Sequence, residues 1–387
     1  MPRLIVDARP LTNNPKGVGR YAYHLCRQLS DRLPQDWDMD ILVCSNELPI
    51  FPAGFPGRFV AIPRVSDLLG GYYIVPRMIK LLKADILLKV NESARGNYNV
   101  PVVTVCHDIP ALITHAQESQ GMVRSAYRKM VDHLKAASVG YGLRSSAWVI
   151  CNSDFIRKSI HSYYGIPTSR TVVGYCGIDP RFYFADSINK REVLQRYGID
   201  RYILTFATGD YRENFLRLPD VIALLRQFGS DVPVLIAGVR REESYCDGLV
   251  YHMRRLDLVE GKDYIIESFL GEGRFNDLMA LYATADFYLE LSLHEGFGMQ
   301  LAEAMACGTT CITSEMGALK EVGGEYGIFI ANPLDNLSIV RTIKRAYQEG
   351  MHDRDNAQQV DYTKRFSWNN TGQVVVECLL HAMSAVR

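Results

Sequence analysis

Short runs of β-branched and aliphatic residues alternate with longer amphipathic stretches along most of the chain, and this alternation limits the possible folds more than any other feature. It is typical of βαβ units, in which helices connect the parallel strands of one sheet. The runs form two consecutive series. The predicted strands are Leu4–Val6, Asp40–Cys44, Ile86–Leu88, Val102–Val105 and Trp148–Cys151 in the first series, and Tyr202–Phe206, Val234–Gly238, Tyr264–Ile266, Phe287–Leu289, Thr310–Thr313 and Gly327–Ile330 in the second. The pattern predicts an α/β fold with two doubly wound, Rossmann-like domains.

The joint between the two series lies near residues 177–200, so we predict a first domain of residues 1–180 and a second of residues 181–364. The chain length of 387 residues allows two or three domains of about 150 residues each. Helices are predicted over Tyr21–Leu33 and from about Met122 to Leu143. The tail, from about residue 365 to 387, is predicted to be a helix that packs back on the first domain.

Charge is balanced over the whole chain but not along it. The 43 basic and 43 acidic side chains cancel, which argues against nucleic-acid binding through phosphate neutralisation. Residues 1–180 hold 21 basic against 14 acidic side chains, and the remainder hold 22 against 29. The difference suggests an anionic partner for the first domain, although chance variation of a solvated surface explains it equally well.

Several features indicate a cytoplasmic protein. No window approaches the roughly 20 apolar residues that cross a bilayer, and the first residues resemble a strand more than a signal peptide. The nine cysteines are scattered and form no CxxC pair, so we expect reduced and mostly buried thiols. Cys307 and Cys311 are close in sequence, but His294 lies outside any familiar ligand spacing, so no metal site is expected.

Ligands of open parallel sheets bind beyond the carboxyl ends of the strands, where helix N-termini favour anions. Two such domains facing each other would form a cleft with two sets of strand ends. After the first strand, Gly17, Val18 and Gly19 open a helix, and the glycines would let the backbone approach a phosphate. A glycine-rich turn without a phosphate is about as common, and Tyr23 occupies the place of the third glycine of a dinucleotide fingerprint.

Two further segments supply candidate chemistry. His107 and Asp108 follow the fourth predicted strand, where the imidazole could donate to a substrate hydroxyl or support a cationic transition state, although a solvated loop histidine is common. Glu295 follows a later strand and precedes Gly296, Phe297, Gly298 and Met299, whose amides could face a hydroxyl or phosphate. Glu303, eight residues after Glu295, could accept from a ribose diol. Two solvated glutamates on a capped helix would leave the glycine and apolar neighbours of Glu295 unexplained.

The segment from Glu295 to Gly308 resembles the Glu, seven residues, Glu motif of the family 4 retaining glycosyltransferases, which have the GT-B fold. Other landmarks are similar in the same order: Asp7–Arg9 with Gly17–Tyr21, His107–Asp108, Cys151–Phe155, Ser314–Val322 and Arg365–Trp368. The resemblance implies a nucleotide-sugar donor in the second domain, with Glu303 on the ribose and with Glu295 and the amides of Phe297–Met299 around the sugar and phosphates. It places His107 near the anomeric carbon and the Gly17–Gly19 loop over the diphosphate.

The same resemblance implies that neither a metal nor another cofactor is used, because cationic side chains and helix N-termini stabilise the leaving diphosphate. It also implies retention of the anomeric configuration. One position departs from the family pattern: Glu213 stands where the phosphate lysine is usual. A carboxylate there would repel the diphosphate, so Arg212 must carry this charge alone, or Arg240, Arg241 or Lys320 must help.

The resemblance implies an acceptor in the first domain, either a glycan or one linked to a polyprenyl diphosphate. The segment Asp67–Leu82, together with Arg124, Arg128, Lys129 and Lys135, mixes apolar and basic residues. It suits peripheral contact with an anionic membrane surface, on the inner face of the cytoplasmic membrane, or equally a buried helix with one solvated face.

The interpretation that follows is a bacterial-type hexosyltransferase of surface polysaccharide synthesis. A GDP-mannose or GDP-rhamnose type of donor is favoured, and a UDP-sugar stays open. An alternative is a catalytically weak or inactive nucleotide-binding relative that scaffolds polysaccharide assembly, which only Glu213 favours. A nicotinamide-dependent dehydrogenase is disfavoured, because no predicted strand is followed by GxGxxG.

Overall fold

The computed structural model describes residues 1–11, 17–44, 51, 55–93, 98–118, 126–268 and 275–385. It divides the chain into two compact units. The first consists of Met1–His115, Val123–Gly177 and Phe366–Arg387, and the second of Ala116–Met122 and Ile178–Arg365.

A seven-stranded parallel sheet forms the centre of the first unit, in the order β3-β2-β1-β4-β5-β6-β7. Its strands are β1 (Arg3–Asp7), β2 (Asp38–Val43), β3 (Arg58–Ala61), β4 (Ile86–Lys89), β5 (Val102–Cys106), β6 (Trp148–Cys151) and β7 (Thr171–Val173). The five predicted strands are all present. The predictions missed β3 and β7, which are the two edge strands of the sheet.

Helices connect the strands of this sheet. They are α1 (Val18–Arg32), the short α2 (Asp67–Leu69) with a π-helical turn (Gly70–Ile74), α3 (Val75–Leu82), α4 (Pro110–Glu118), α5 (Ala126–Arg144) and α6 (Asp154–Tyr164). The prediction of a helix over Tyr21–Leu33 is confirmed, with an earlier start at Val18. The helix predicted from Met122 corresponds to α5, and residues 122–125 lie outside the described residues.

A six-stranded parallel sheet forms the centre of the second unit, in the order β10-β9-β8-β11-β12-β13. Its strands are β8 (Ile203–Phe206), β9 (Val234–Val239), β10 (Tyr264–Ser268), β11 (Phe287–Glu290), β12 (Cys311–Ser314) and β13 (Ile328–Ile330). Each predicted strand of the second series is confirmed within about one or two residues. The α/β, doubly wound class is therefore correct for both units.

The helices of the second unit pack their apolar residues against this sheet. They are α7 (Lys190–Tyr197), α8 (Leu218–Gln227), α9 (Ser244–Arg255), α10 (Phe275–Thr284), α11 (Met299–Ala306), α12 (Leu319–Gly323), α13 (Asn336–Gln348) and α14 (Ala357–Thr363). Ile203, Ile236, Leu289 and Ile343 are among the fully buried residues of the core. Short 3₁₀ turns at Pro180–Ser187, Tyr211–Glu213, Phe215–Arg217 and Met351–Asp353 join several of these elements.

The last helix, α15 (Trp368–Ser384), belongs to the first unit, as predicted from the sequence. The Ser367 hydroxyl caps its first turn by accepting from the amide of Asn369. The Trp368 ring stacks on His24 of α1, with 4.7 Å between ring centroids. Gly372 lies so close to α1 that a Cβ there would come 2.6 Å from the Cβ of Gln28. The absence of a side chain therefore lets the two helices approach closely.

The nine cysteines are free thiols, and eight of them are buried, as expected. Cys44 is the partly exposed one. Burial raises the pKa of Cys26 to about 12, so this thiol stays protonated at neutral pH. The cysteines thus behave as small apolar residues of the core.

Candidate active site

The strand order reverses once in each sheet, between β1 and β4 in the first unit and between β8 and β11 in the second. In open parallel sheets, such a switch point leaves a crevice at the carboxyl ends of the two strands, because their connections leave in opposite directions. Predicted site residues follow β1 and β5 in the first unit and β8, β9 and β11 in the second.

The glycine loop enters α1 through Gly17, which has a positive φ of 45°. A Cβ on Gly17 would meet no atom within 4 Å, so backbone conformation rather than lack of space favours glycine there. Val18 is the first residue of α1, and Gly19 is buried. The preceding part of the predicted loop, residues 12–16, lies outside the described residues.

His107 follows β5 and is buried. Its Nε2 lies 2.7 Å from the carbonyl oxygen of Val90, which can only accept, so Nε2 carries the proton. Burial lowers the pKa of His107 to about 4, although the Val90 hydrogen bond and Asp108 oppose this change. The neutral ring therefore has Nδ1 as its acceptor, and it is oriented to receive a hydrogen bond from a hydroxyl rather than to donate through Nε2.

Asp108 lies next to His107, but its carboxylate has a structural partner. The Oδ1 atom accepts from the amide of Ile109 at 2.7 Å, directly before α4 begins at Pro110. A catalytic role for Asp108 stays a prediction.

Glu295 lies in the loop between β11 and α11, beside a second carboxylate, Glu290, at the end of β11. The hydroxyl of Ser292 connects them: its Oγ lies 2.6 Å from Oε1 of Glu290 and 3.3 Å from Oε1 of Glu295. Glu290 is buried and also accepts from the Tyr288 hydroxyl at 2.6 Å. The arrangement fixes the start of the loop in which Glu295 lies.

The segment after β12 holds the backbone of Glu295 from the other side. The amide of Ala318 donates to the Glu295 carbonyl at 2.9 Å. Gly317 has a φ of 64°, and a Cβ there would lie 2.3 Å from the Glu295 carbonyl oxygen and 2.7 Å from its nitrogen. Only glycine permits this close approach of two backbone segments.

Gly298 ends the loop as the N-cap of α11, with a φ of 95°. A Cβ at Gly298 would come 2.6 Å from Cδ2 of Leu319, and Phe297 beside it is buried. Gly298 has no side chain to accept from the first-turn amides of α11, which begins at Met299. A ligand oxygen can therefore occupy the place that a capping side chain takes in other helices. The structure thus brings Glu295, Gly296, Phe297, Gly298 and Met299 together in one turn.

Glu303 lies within α11 and is only 2% exposed. Its Oε2 lies 3.4 Å from the hydroxyl of Tyr282 in α10, which donates to it. A buried carboxylate requires hydrogen-bond donors around it, which makes Glu303 a defined acceptor rather than a solvated surface acid. The alternative of two solvated glutamates is therefore wrong for Glu303.

Glu213 braces the loop that follows β8. It accepts from the amide of Thr208 at 2.7 Å and from the Thr208 hydroxyl at 2.5 Å. Burial raises the pKa of Glu213 to about 7, against the opposing effect of these two hydrogen bonds. Glu213, which replaces the expected lysine, thus stabilises the loop after β8.

The loop after β8 also contacts the loop of Glu295. The amide of Leu293 donates to the carbonyl of Arg212 at 2.7 Å, across the switch point between β8 and β11. The guanidinium of Arg212 pairs with Asp210, with Nη2 2.7 Å and Nε 3.0 Å from the same carboxylate oxygen. The predicted residues Arg212 and Glu295 therefore lie on adjoining loops.

Two family models match the chain. The model described as Glycosyltransferase Family 4 matches residues 15–182, and the one described as Glycosyl transferases group 1 matches residues 186–365. The chain belongs to the family 4 glycosyltransferases.

Similar proteins align with this glycosyltransferase along almost its whole length. The O-antigen chain mannosyltransferase B of Escherichia coli is 25% identical over 396 aligned positions, which cover 95% of this chain and 97% of that protein. Sucrose-phosphate synthase from Thermosynechococcus elongatus superposes with a TM-score of 0.74 at 16% identity, over 100% of both chains. WaaG, a glycosyltransferase involved in lipopolysaccharide biosynthesis, superposes with a TM-score of 0.69 at 16% identity, over 97% of this chain and 98% of its own. These structural likenesses confirm the GT-B fold.

The four cations considered for the leaving diphosphate of this glycosyltransferase all have carboxylate partners. Arg212 pairs with Asp210, Arg240 with Glu243, Arg241 with Glu260 and Lys320 with Glu315, at 2.7–2.9 Å. The last three pairs are largely exposed and are worth little energy, so a phosphate could compete for these cations. Tyr245 links the backbone of Arg240 to the loop after β8. Its hydroxyl accepts from the Arg240 amide at 2.8 Å and donates to the carbonyl of Ala207.

Several residues that shape the site of this glycosyltransferase were assigned no role from the sequence. Glu290 ends β11, and its signal was a single acid within the apolar run from Phe287 to Leu293. Gly317 lies within the landmark segment Ser314–Val322, but its role depends on a close approach to the backbone of Glu295 on another loop. No local pattern singles out Glu92, whose carboxylate accepts from the amide of His107. In the described ranges, no three His, Cys, Asp or Glu side chains are grouped so that they could hold a metal ion.

Proposed function

We propose that this glycosyltransferase moves a hexosyl unit from a nucleotide-sugar to a glycan or polyprenyl-diphosphate-linked acceptor, with retention of configuration and without a metal. The observation that carries the proposal is the turn from Glu295 to Met299, whose amides open α11 beside the buried Glu303. A diphosphate, a sugar hydroxyl and a ribose are the ligand groups that such a turn and two carboxylates would bind. A GDP-mannose type of donor is favoured by the O-antigen mannosyltransferase that is similar along almost its whole length.

Each side chain then has a task. The amides and dipole of α11 favour the negative charge that develops on the leaving diphosphate, and Arg212 on the adjoining loop adds a cation. Glu303 accepts from the ribose hydroxyls, and Glu295 accepts from the transferred sugar. In the first unit, the Gly17–Gly19 backbone approaches the diphosphate, and Nδ1 of His107 accepts from a sugar hydroxyl.

Nucleotide titration tests the donor part of the proposal. We expect GDP to bind at least about tenfold more tightly than UDP, ADP or dTDP, measured by calorimetry with EDTA present throughout. Glu303→Ala should weaken this binding by about 10- to 100-fold, because hydrogen bonds to a charged group are lost. Glu267→Ala is the matched control, since Glu267 of β10 also accepts from a tyrosine hydroxyl, that of Tyr197, at 2.7 Å.

Transfer of mannose from GDP-mannose to a polyprenyl-diphosphate-linked glycan, with EDTA present, tests the reaction itself. Retention predicts an α-linked product from an α-linked donor, measured by NMR of the anomeric proton. Tight binding of UDP but not of GDP would show that the donor is a UDP-sugar. Loss of transfer on addition of EDTA would contradict the proposal that the reaction needs no metal.

The second candidate is a donor-binding relative with weak or no catalysis that scaffolds polysaccharide assembly. It is favoured by Glu213, whose carboxyl adds negative charge near the expected diphosphate, and by the pairing of the candidate cations with carboxylates. Measurable nucleotide binding without donor hydrolysis or transfer, over several acceptors, would support this candidate.

A lipid surface is the partner that we propose for the first unit. Leu68, Leu69, Tyr73 and Leu81 are 50–69% exposed on α2, the π-helical turn and α3. The neighbouring Arg64, Arg77, Lys80 and Lys83 are exposed as well, while Val75 and Ile79 face the core. Lys129 and Lys135 of α5 are exposed, Arg124 lies outside the described residues, and the side chain of Arg128 is not described. No helix in the described part of the chain is long and apolar enough to cross a membrane.

Vesicle binding tests this surface. The protein should sediment with phosphatidylglycerol vesicles at low salt and much less with phosphatidylcholine vesicles, because attraction adds about 1 kcal/mol per cation. The triple variant Leu69→Ser, Tyr73→Ser, Leu81→Ser should reduce binding about tenfold. Tyr251→Ser, at a 64% exposed tyrosine of the second unit, is the control. Equal sedimentation of both variants would contradict the assignment.

A further inference from the structure

His107 is anchored at three atoms by residues of neighbouring strand ends. Its backbone amide donates to Oε2 of Glu92 at 2.9 Å, and its ring Nε2 donates to the carbonyl of Val90 at 2.7 Å. Its own carbonyl accepts from Nδ2 of Asn152 at 3.2 Å, and its ring packs against that of Tyr21 in a T-shaped arrangement, with 4.6 Å between ring centroids. Two of these anchors come from the three-residue stretch Val90–Glu92, directly after β4.

We propose that Glu92 is a positioning residue for His107, holding the backbone so that the ring keeps its bond to Val90 and presents Nδ1 to the substrate. The inference rests on the proposed function, because it assumes that His107 contacts the transferred sugar. Glu92 itself is assigned no contact with substrate. Its carboxylate acts only through the amide of His107.

Glu92 can accept from the His107 amide whether or not its carboxyl is ionised. Lys89, buried at the end of β4, donates through Nζ to the carbonyl of Ser93, which holds the stretch after β4 from its other side. Burial raises the pKa of Glu92 to about 7, although the bonds from backbone amides and the charge of Lys89 lower it. Both the ionised and the protonated carboxyl have an oxygen that can accept from His107. The anchor therefore persists on both sides of neutral pH.

A side chain at position 92 without an acceptor leaves the His107 amide without this anchor. Displacement of a group at a reacting centre by about 1 Å can cost about a hundredfold in rate. Because the nucleotide is expected to bind in the second unit, the loss should appear in turnover and much less in donor affinity. A fall in kcat without a matching change in donor affinity distinguishes a positioning role from a general loss of the fold.

The experiment compares Glu92→Ala, Glu92→Gln and the control Asp85→Ala. Glutamine retains an oxygen that can accept from the His107 amide, and alanine does not. Asp85 accepts from the amide of Arg3 at 2.7 Å, so its replacement removes a similar carboxylate-to-amide bond at the opposite end of β1 and β4. We expect Glu92→Ala to lower kcat by about 10- to 100-fold with KM for the donor changed by less than about threefold. Glu92→Gln and Asp85→Ala should stay within about threefold of the unchanged protein.

The second readout is independent of catalysis. The ¹⁵N-imidazole NMR signals of His107, assigned through His107→Gln, should show the Nε2-protonated form in the unchanged protein and in Glu92→Gln. In Glu92→Ala they should shift toward a mixture of the two tautomers. If Glu92→Ala does not fold, Glu92→Asp, whose shorter side chain moves the acceptor away, replaces it with the same expected direction.

Two outcomes would overturn the inference: an unchanged His107 spectrum with unchanged kcat in Glu92→Ala, or a Glu92→Gln variant as impaired as Glu92→Ala, which would assign the effect to charge. Failure of the proposed function has a different signature. A His107→Ala variant with normal turnover would remove His107 from the reaction, while the spectra of the Glu92 variants would still report whether Glu92 orients the ring.

Discussion

Replacement of Gly317 by alanine should reduce transfer by at least about a hundredfold while the rest of the protein stays folded. A Cβ at this position would lie 2.3 Å from the carbonyl oxygen of Glu295, and backbone atoms cannot yield as a flexible side chain does. The loop from Glu295 to Gly298 must therefore move, and with it the amides that open α11. Steady-state transfer and calorimetric titration of the nucleotide measure the effect.

Gly350→Ala separates the steric effect from the conformational one. Gly350 has a φ of 66°, nearly that of Gly317 at 64°, but a Cβ on it would meet no atom within 4 Å. Both variants incur the cost of a positive φ, about 1 kcal/mol, and should lower the urea midpoint of unfolding. Only Gly317→Ala should lose transfer. Equal transfer in the two variants would show that the loop of Glu295 tolerates displacement.

Glu213→Lys should destabilise the protein and lower transfer at least about tenfold, although it restores the residue type that is usual in the family. The change removes both acceptors of the Thr208 amide and hydroxyl, and it places an ammonium group where these donors point. We expect a loss of about 2–4 kcal/mol in the free energy of unfolding, because hydrogen bonds to a charged group are lost at a largely buried position. Urea denaturation and the transfer assay provide the two measurements.

Glu213→Gln is the control for this prediction and also tests the ionisation of Glu213. Glutamine can accept from the Thr208 amide, so transfer should change little. Because burial raises the pKa of Glu213 in the folded protein to about 7, above its value in the unfolded chain, its stabilising contribution is present at low pH and lost as pH rises through about 7. The free energy of unfolding of the unchanged protein, relative to that of Glu213→Gln, should therefore be higher at pH 5 than at pH 8, as measured by urea denaturation. Faster transfer by Glu213→Lys would instead show that only a cation is missing.

The sequence predicts most of the fold because strand periodicity is a local property. The runs Val234–Gly238 and Val102–Val105 are apolar, bounded by turns and fully buried in the structure. The edge strand Arg58–Ala61 was missed although Phe59–Ile62 is an apolar run of four residues, and two of the four strand residues are exposed. Its pairing with β2 depends on partner residues that local periodicity does not show.

For the site, the sequence predicts which strand ends carry function but not how their side chains pair. His107 was predicted as a donor, whereas its bond to Val90 leaves Nδ1 as an acceptor. Glu213 was recognised as a departure, but its two bonds to Thr208 become apparent only when the loop after β8 is folded. Pairings of this kind depend on backbone direction at single positions, such as the positive φ of Gly209 and Asn214 in the same loop.

The return of α15 to the first unit bears on how the chain folds as it leaves the ribosome. The whole stretch Ile178–Arg365 is synthesised before Trp368, so the second unit can complete its core while α1 still lacks the helix that covers it. Synthesis at about 5–20 residues per second leaves Tyr21 and His24 without Trp368 for about 17 to 70 seconds. During this interval the nascent first unit presents an uncovered apolar helix face of the kind that chaperones bind, and the synthesis of α15 brings that exposure to an end.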